Sequence, residues 1–323
     1  MNRFFQVRIL GALLIALALM VTISVNSAMA DYPKRPINLI VGFKAGGYTD
    51  LAARTLAIEL RKVLGKPVVI VNKPGAASII AARFVAGARP DGYTLWFGSA
   101  GTLVLKRELG QSDVDFFEDF KLAGFSGQLV PALAVPNDRP YKSIQDIIDA
   151  AKAKPGVLRW GHNGRGSAFM AAGVGFIVAN GLDVQEVPFS GGKGSRQALF
   201  GNQVDFGMVN AADRIKFGTK MRVLAAFRNT REDILDDQLP TMGEQDVKFI
   251  SVDSPVGILA PKGVSDDIMV KLENAINEAV SQKSYKEAMD KIIMPATFFN
   301  QADGTAYVSK IRDNVREILP HLK

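Results

Sequence analysis

Beyond its first thirty residues the chain alternates short apolar runs with stretches in which apolar positions recur at helical spacing. Residues 37–43 (INLIVGF) form a predicted strand. From Thr49 to about Leu64, the positions Ala53, Leu56, Ala57, Leu60 and Leu64 follow a helical period, with Thr49 as candidate cap and Gly65 as candidate terminator. Residues 68–71 read as a second strand, Asn72-Lys73-Pro74-Gly75 as a turn, 78–86 as a helix and 93–98 as a third strand. This rhythm predicts parallel pairing in an open α/β sheet. Ligands of such sheets bind beyond the carboxyl ends of the strands. The loops at residues 44–48, 72–77 and 98–102 should therefore share one rim.

A second block repeats the plan. Residues 144–153 are helical and 158–161 a short strand; Asn163-Gly164-Arg165-Gly166-Ser167 forms a loop before a helix over about 168–180. A strand at 184–187, a loop at 188–194, a helix carrying Ala198 and Leu199, and a strand at 204–209 follow. Residues 255–260 read as a strand leading to two closing helices, about 265–282 and 303–319.

The first thirty residues differ from the rest. Arg3 and Arg8 are their only charges, residues 9–25 are uncharged, and Ala28-Met29-Ala30 ends the segment. This is the pattern of a secretory signal cut after Ala30. A membrane anchor is the alternative, but the apolar run is near the lower limit of about 17–25 residues for a spanning helix. The small residues before Asp31-Tyr32-Pro33 favour cleavage.

Length and composition then bound the rest. The chain has 323 residues, 48% hydrophobic and 22% charged, which suits about two domains with their own cores. It has no cysteine, which excludes disulfides, thiolate metal sites and lipid attachment at a new amino-terminal Cys. Without Arg3 and Arg8, 37 basic residues stand against 32 acidic ones, a net charge of +5. The basic residues are scattered, so nucleic-acid binding is not supported. The mild positive balance weakly favours an anionic ligand.

The Gly-rich loops carry the candidate chemistry. Gly46-Gly47 precedes a helix near Thr49, and Gly164 and Gly166 precede one near Ser167. A helix start exposes unpaired N–H groups and partial positive charge, which favour anions. Two such loops facing each other across a cleft could grip one carboxylate; the bland alternative is that the glycines only make tight turns. His162 could act as a general base, but no G-x-S-x-G serine accompanies it, and a polar contact in the cleft or a plain loop residue is the simpler role. No metal-ligand spacing is present, and no cofactor is expected. Gly191-Gly192-Lys193-Gly194-Ser195 lacks the spacing of a phosphate loop. Asp205 and Asp50 read as structural, and Phe116, Phe117 and Phe125 as core.

At these residues the chain resembles the solute receptors of tripartite tricarboxylate transporters, often called the Bug family. Tyr32-Pro33-Lys34-Arg35-Pro36-Ile37 is similar to the family's mature start. Val41-Gly42-Phe43-Lys44-Ala45-Gly46-Gly47-Tyr48-Thr49-Asp50 resembles its first ligand loop. Val71-Asn72-Lys73-Pro74-Gly75-Ala76 and Pro90-Asp91-Gly92-Tyr93-Thr94-Leu95 match two further signatures. Asn163 to Ser167 resembles the second ligand loop; Val187-Pro188-Phe189-Ser190-Gly191-Gly192 and Gly201-Asn202-Gln203-Val204-Asp205 complete the series.

The resemblance implies a two-domain Venus-flytrap fold of type II with the ligand between the domains. The expected limits are residues 31–132 with 257–323 for one domain and 133–256 for the other. It implies a periplasmic, monomeric binding protein that hands a mono-, di- or tricarboxylate to a membrane permease and is not an enzyme. The expected ligand-binding set is Phe43, Lys44, Gly46, Gly47, Tyr48 and Thr49; Ser99, Gly101 and Thr102; His162, Asn163, Gly164, Arg165, Gly166 and Ser167; and Phe189, Ser190, Gly191 and Asn210. The chain departs from the family pattern at Lys44, Tyr48, Arg165 and Ala168-Phe169-Met170. Lys44 and Arg165, if directed inward, would favour a second or third carboxylate. The alternatives are a receptor for an ATP-driven importer, a sensor, or a hydrolase using His162.

Overall fold

The computed structural model describes residues 32–189, 191–231, 236 and 238–322. The expected signal segment and Ser190 lie outside these residues.

Strand β1 (Ile37–Val41) is followed by α1 (Tyr48–Leu64), β2 (Val68–Asn72), α2 (Ile79–Ala86), β3 (Thr94–Ser99), α3 (Ala100–Glu108), the one-turn α4 (Phe116–Asp119) and the long β4 (Phe120–Leu129). Val130 alone separates β4 from β5 (Pro131–Pro136). The second unit continues through α5 (Ile144–Ala153), β6 (Arg159–His162), α6 (Ala168–Ala179), β7 (Gln185–Pro188), α7 (Gly191–Phe200), β8 (Phe206–Asn210), α8 (Asp213–Phe217) and β9 (Met221–Ala226). A second crossing returns the chain to β10 (Ser254–Pro261), and α9 (Asp266–Ser281), α10 (Lys283–Lys291) and α11 (Gln301–Ile318) close it.

Two five-stranded sheets result, in the orders β2-β1-β3-β10-β4 and β7-β6-β8-β5-β9. β1 pairs in parallel with β2 and β3, and β6 with β7 and β8. The expected parallel pairing therefore holds for the βαβ units. The returning strands differ: β10 is antiparallel to β3 and β4, and β5 to β8 and β9. Each enters its sheet where the neighbouring strand ends, at the cleft. Val256 pairs with Ser99, Ser254 with Leu129, and Pro131 with Asn210.

Local chemistry explains the elements that form the site. α1 buries Ala52, Ala53, Leu56, Ala57 and Leu60 on one face, and Gly65 ends it in the left-handed region, its N–H donating to the Arg61 carbonyl. Gly47, not the expected Thr49, holds the cap position, and it offers no side-chain cap. Thr49 is instead buried in the first turn. α6 has no charged residue and buries nearly every side chain through Phe176. It begins at Ser167, whose Oγ accepts from the Met170 N–H at 3.1 Å.

The expected loop at 188–194 is corrected: α7 already begins at Gly191. Three glycines at about 1 kcal/mol each oppose a helix there. The burial of Ser195, Ala198 and Leu199 against the second sheet outweighs that local preference.

The largest apolar cluster runs between the units. It joins Leu103 and Leu105 of α3, Val174 and Phe176 of α6, and Val308 and Ile311 of α11. Phe116 and Phe125 lie in it, and Phe117 packs against it. A second cluster lies between the first sheet and α1 and α9. Asp205 accepts from the Arg159 N–H at 2.8 Å and pairs with Arg139 at 2.7 Å, tying down the start of β6. Among the described residues no helix is long and apolar enough to cross a membrane.

Candidate ligand-binding site

A cavity of about 290 Å³ lies where the two sheets face each other. Four helix starts open onto it: Gly47, Tyr48 and Thr49 of α1, Ser99 and Thr102 of α3, Ser167 to Phe169 of α6, and Gly191 and Gly192 of α7. Each presents backbone N–H groups and partial positive charge to the same space.

The α1 start is held open by its neighbours. The Asp50 carboxylate accepts from the Gly46 N–H and from Asn72 Nδ2, both at 2.8 Å, and from Arg54 Nε at 2.9 Å. Asn72 Nδ2 also donates to the Phe43 carbonyl at 3.0 Å. Burial pushes the Asp50 carboxyl up, but the Arg54, Asn72 and Gly46 donors outweigh it and hold it below its ordinary value. The loop over residues 43–50 is thus fixed by an internal carboxylate, while the α1 cap carries no side-chain acceptor. Across the cavity, Ser99 Oγ accepts from the Thr102 N–H at 3.2 Å and bonds Ser254 Oγ at 2.7 Å, pinning α3 to β10.

The charged part of the lining is a pair. Arg196 Nη1 donates to Asp213 Oδ2 at 3.2 Å. Tyr48 Oη reaches from the other unit to Asp213 Oδ1 at 3.1 Å, and the Asn210 N–H donates to Oδ2 at 3.1 Å. Asp213 is 1% exposed and Arg196 20%. Burial pushes the Asp213 carboxyl above its ordinary value, against Arg196, the Asn210 N–H and Tyr48. Burial, reinforced by Asp213, also pushes the Tyr48 hydroxyl up. The guanidinium lies 5.1 Å over the Phe217 ring and makes no other hydrogen bond to the described residues.

Ten residues of the expected set line the cavity: Phe43, Gly47, Tyr48, Thr49, Ser99, Thr102, Asn163, Ser167, Gly191 and Asn210. Lys44 is exposed and outside it. Arg165 is 72% exposed and lies 3.4 Å from Glu186. The two extra cations are thus not part of the lining. Gly46, Gly101, Gly164, Gly166 and Phe189 are likewise not part of the lining. A Cβ on Gly101 would fall 1.9 Å from the Asp253 carbonyl, so this glycine lets α3 pack against the second crossing.

His162 is buried at the end of β6, not in the cavity. Its Nδ1 accepts from the Gly164 N–H at 3.2 Å, which leaves the neutral ring's proton on Nε2, facing Glu186 Oε1 at 2.9 Å. Burial holds its pKa below the ordinary value despite Glu186. With both nitrogens engaged, the ring positions the turn into α6.

Sequence reasoning missed Arg196, Asp213, Ser254 and the apolar wall of Ala77, Leu129, Ala168, Phe169 and Val209. One signal was available. Asn210 and Asp213 stand three apart: the Asn210 N–H donates to Asp213 Oδ2 at 3.1 Å, while Asn210 Oδ1 accepts from the Ala212 N–H at 3.1 Å.

Two α/β units joined by two crossings, with helix starts converging on a cavity between them, define a solute-binding protein of the two-domain type. Residues 52–319 match the family described as Tripartite tricarboxylate transporter family receptor, and the chain belongs to that family. It is similar to Protein BugT of Bordetella pertussis, 32% identical over 263 residues, 80% of each chain. A solved TctC solute-binding protein from Polaromonas superposes with a TM-score of 0.76 at 25% identity, covering 90% of this chain and 99% of that one. The fold also matches Rpa4515 of R. palustris, solved with adipate, with a TM-score of 0.78 at 24% identity over 90% and 98% of the chains.

Proposed function

We propose that this chain captures a small carboxylate outside the cytoplasm, presents it to the membrane subunits of a tripartite tricarboxylate transporter, and catalyses no reaction. One observation carries the reading: four helix starts and the Arg196 guanidinium converge on one cavity between the units. This combination suits an anion held mostly by backbone N–H groups. The R. palustris relative holds adipate; for this chain the carboxylate reading rests on its own cavity and on its family.

The engagement of both His162 nitrogens, away from the cavity, speaks against a hydrolase. We place the unit boundaries at Val130 and within residues 227–253, where the two crossings fall; the limits expected from the resemblance were 132 and 256. Export with cleavage after Ala30, and a monomeric state, complete the proposal.

Native mass spectrometry of the purified protein, followed by small-angle scattering, tests it. A retained acid, and a smaller radius of gyration when that acid is added back, are expected. A hydrolysed ester or amide substrate, reduced in His162→Ala, would sink the reading.

A further inference from the structure

Building on that reading, we propose that the preferred ligand is a small monocarboxylate with an apolar body. Arg196 and Asp213 are the charged side chains of the cavity wall among the described residues, and they are paired with each other. Three donors point at Asp213: Arg196, Tyr48 and the Asn210 N–H. Donors and a guanidinium, with no acceptor, surround this carboxylate, which suits the ionised form in spite of its burial, so the side chains of the wall sum to no net charge.

The cations that could offset a second carboxylate stand elsewhere. Lys44 and Arg165 are outside the wall, and Lys216, 5.1 Å from the Tyr48 ring, is exposed and does not line it. Asn163 contributes an acceptor instead: its Oδ1 is buried and has no donor. A neutral amide carries no charge to offset a second anion.

The helix starts and the unused donors of Arg196 match one carboxylate, whose two oxygens offer about four acceptor sites. Apart from neutral serine and threonine hydroxyls, the remaining side chains are Phe43, Ala77, Leu129, Ala168, Phe169 and Val209. A second carboxylate against these side chains would be a buried charge without a partner. At about 290 Å³ the cavity is near the lower end of small-molecule sites, roughly 300–1,000 Å³. The ligand is therefore compact.

The test is calorimetry with two matched pairs, hexanoate against adipate and 4-methylbenzoate against terephthalate, with malate and citrate added. Each pair exchanges one methyl for one carboxylate. In whichever pair binds, the monoacid should bind about tenfold or more tightly than the diacid. Equal or tighter binding of the diacid, or binding of malate or citrate with neither monoacid, overturns this inference and leaves the receptor reading standing. No binding by any acid in the panel overturns both. Asp213→Asn keeps the shape and adds one positive charge to the wall. It should shift the affinity ratio toward the diacid about fivefold or more. An unchanged ratio overturns the inference, and a ratio does not depend on how much of the variant folds.

Discussion

The molecule contains two arrangements of arginine, aspartate and tyrosine that differ mainly in what surrounds them. At the cavity, Tyr48 and Arg196 meet on Asp213. At the second crossing, Tyr307 and Arg228 meet on Asp253, Ser251 adds a bond at 2.8 Å, and the Tyr307 hydroxyl also accepts from Gln128 at 2.8 Å. Arg228 and Asp253 are 9% and 13% exposed and stand outside the cavity wall. Tyr307 stacks on Phe299, which further closes that cluster. Arg196, paired at 3.2 Å and 20% exposed, is part of the cavity wall. The same three residue types lock a crossing in one place and form a receptor surface in the other, and access decides which. A buried ion pair is therefore no sign of a site until its access to a cavity is known.

The largest expected effect separates the two clusters on stability. Asp253→Ala removes the carboxylate that Arg228 and Tyr307 share and should cost about 3–5 kcal/mol in urea unfolding. A loss below about 1 kcal/mol would show that the crossing is held by its packing. Arg196→Met should act on binding: about 1.5–3 kcal/mol of affinity, roughly ten- to a hundredfold, by calorimetry with the bound acid. A smaller effect on affinity than on melting temperature would put Arg196 in the same class as Arg228.

The His162–Glu186 pair extends the comparison to pH. Burial lowers the His162 pKa in the folded state, so the unfolded chain binds the proton more readily. Its contribution is present above the ordinary value of 6.5 and is lost as pH falls toward the folded value. The slope cannot exceed about 1.4 kcal/mol per pH unit. Thermal melts from pH 7.5 downward should fall more steeply for wild type than for His162→Gln; parallel curves would place the pH response elsewhere. The smallest effect belongs to Lys44→Ala and Arg165→Ala, each expected to change affinity and stability by less than about 0.5 kcal/mol, measured by the same titrations.

Both cavity-lining loops were legible because glycine and serine ahead of apolar helices mark a helix start whatever the tertiary context. Arg196 was not. It sits on α7, whose three leading glycines argue locally for a loop, and only packing of Ala198 and Leu199 makes the segment helical. Asp213 lies on a five-residue helix too short to show a period. β4 and β5 escaped for a different reason. FKLAGFSGQL and PALAVP are buried almost throughout, so no polar alternation separates strand from helix. The βαβ part of each sheet follows from local pattern. The antiparallel return of β10 depends on where the chain comes back from, which no window of sequence contains.

The placement of β10 also sets an order of assembly. It sits between β3 and β4, so these strands, although close in sequence, have no hydrogen bonds to share until residue 254 arrives. As the chain is synthesised, β3 must wait with an open edge while the whole second unit is made. The pairing of Ser99 with Val256 is correspondingly a late, high-contact-order event. An open edge is a site for mispairing, which makes holdase protection during export an expected need. Pulsed hydrogen exchange during refolding should find the β3 and β10 amides protected after those shared by β1 and β2. The seam that completes the first sheet is thus also the chain's slowest commitment to being folded.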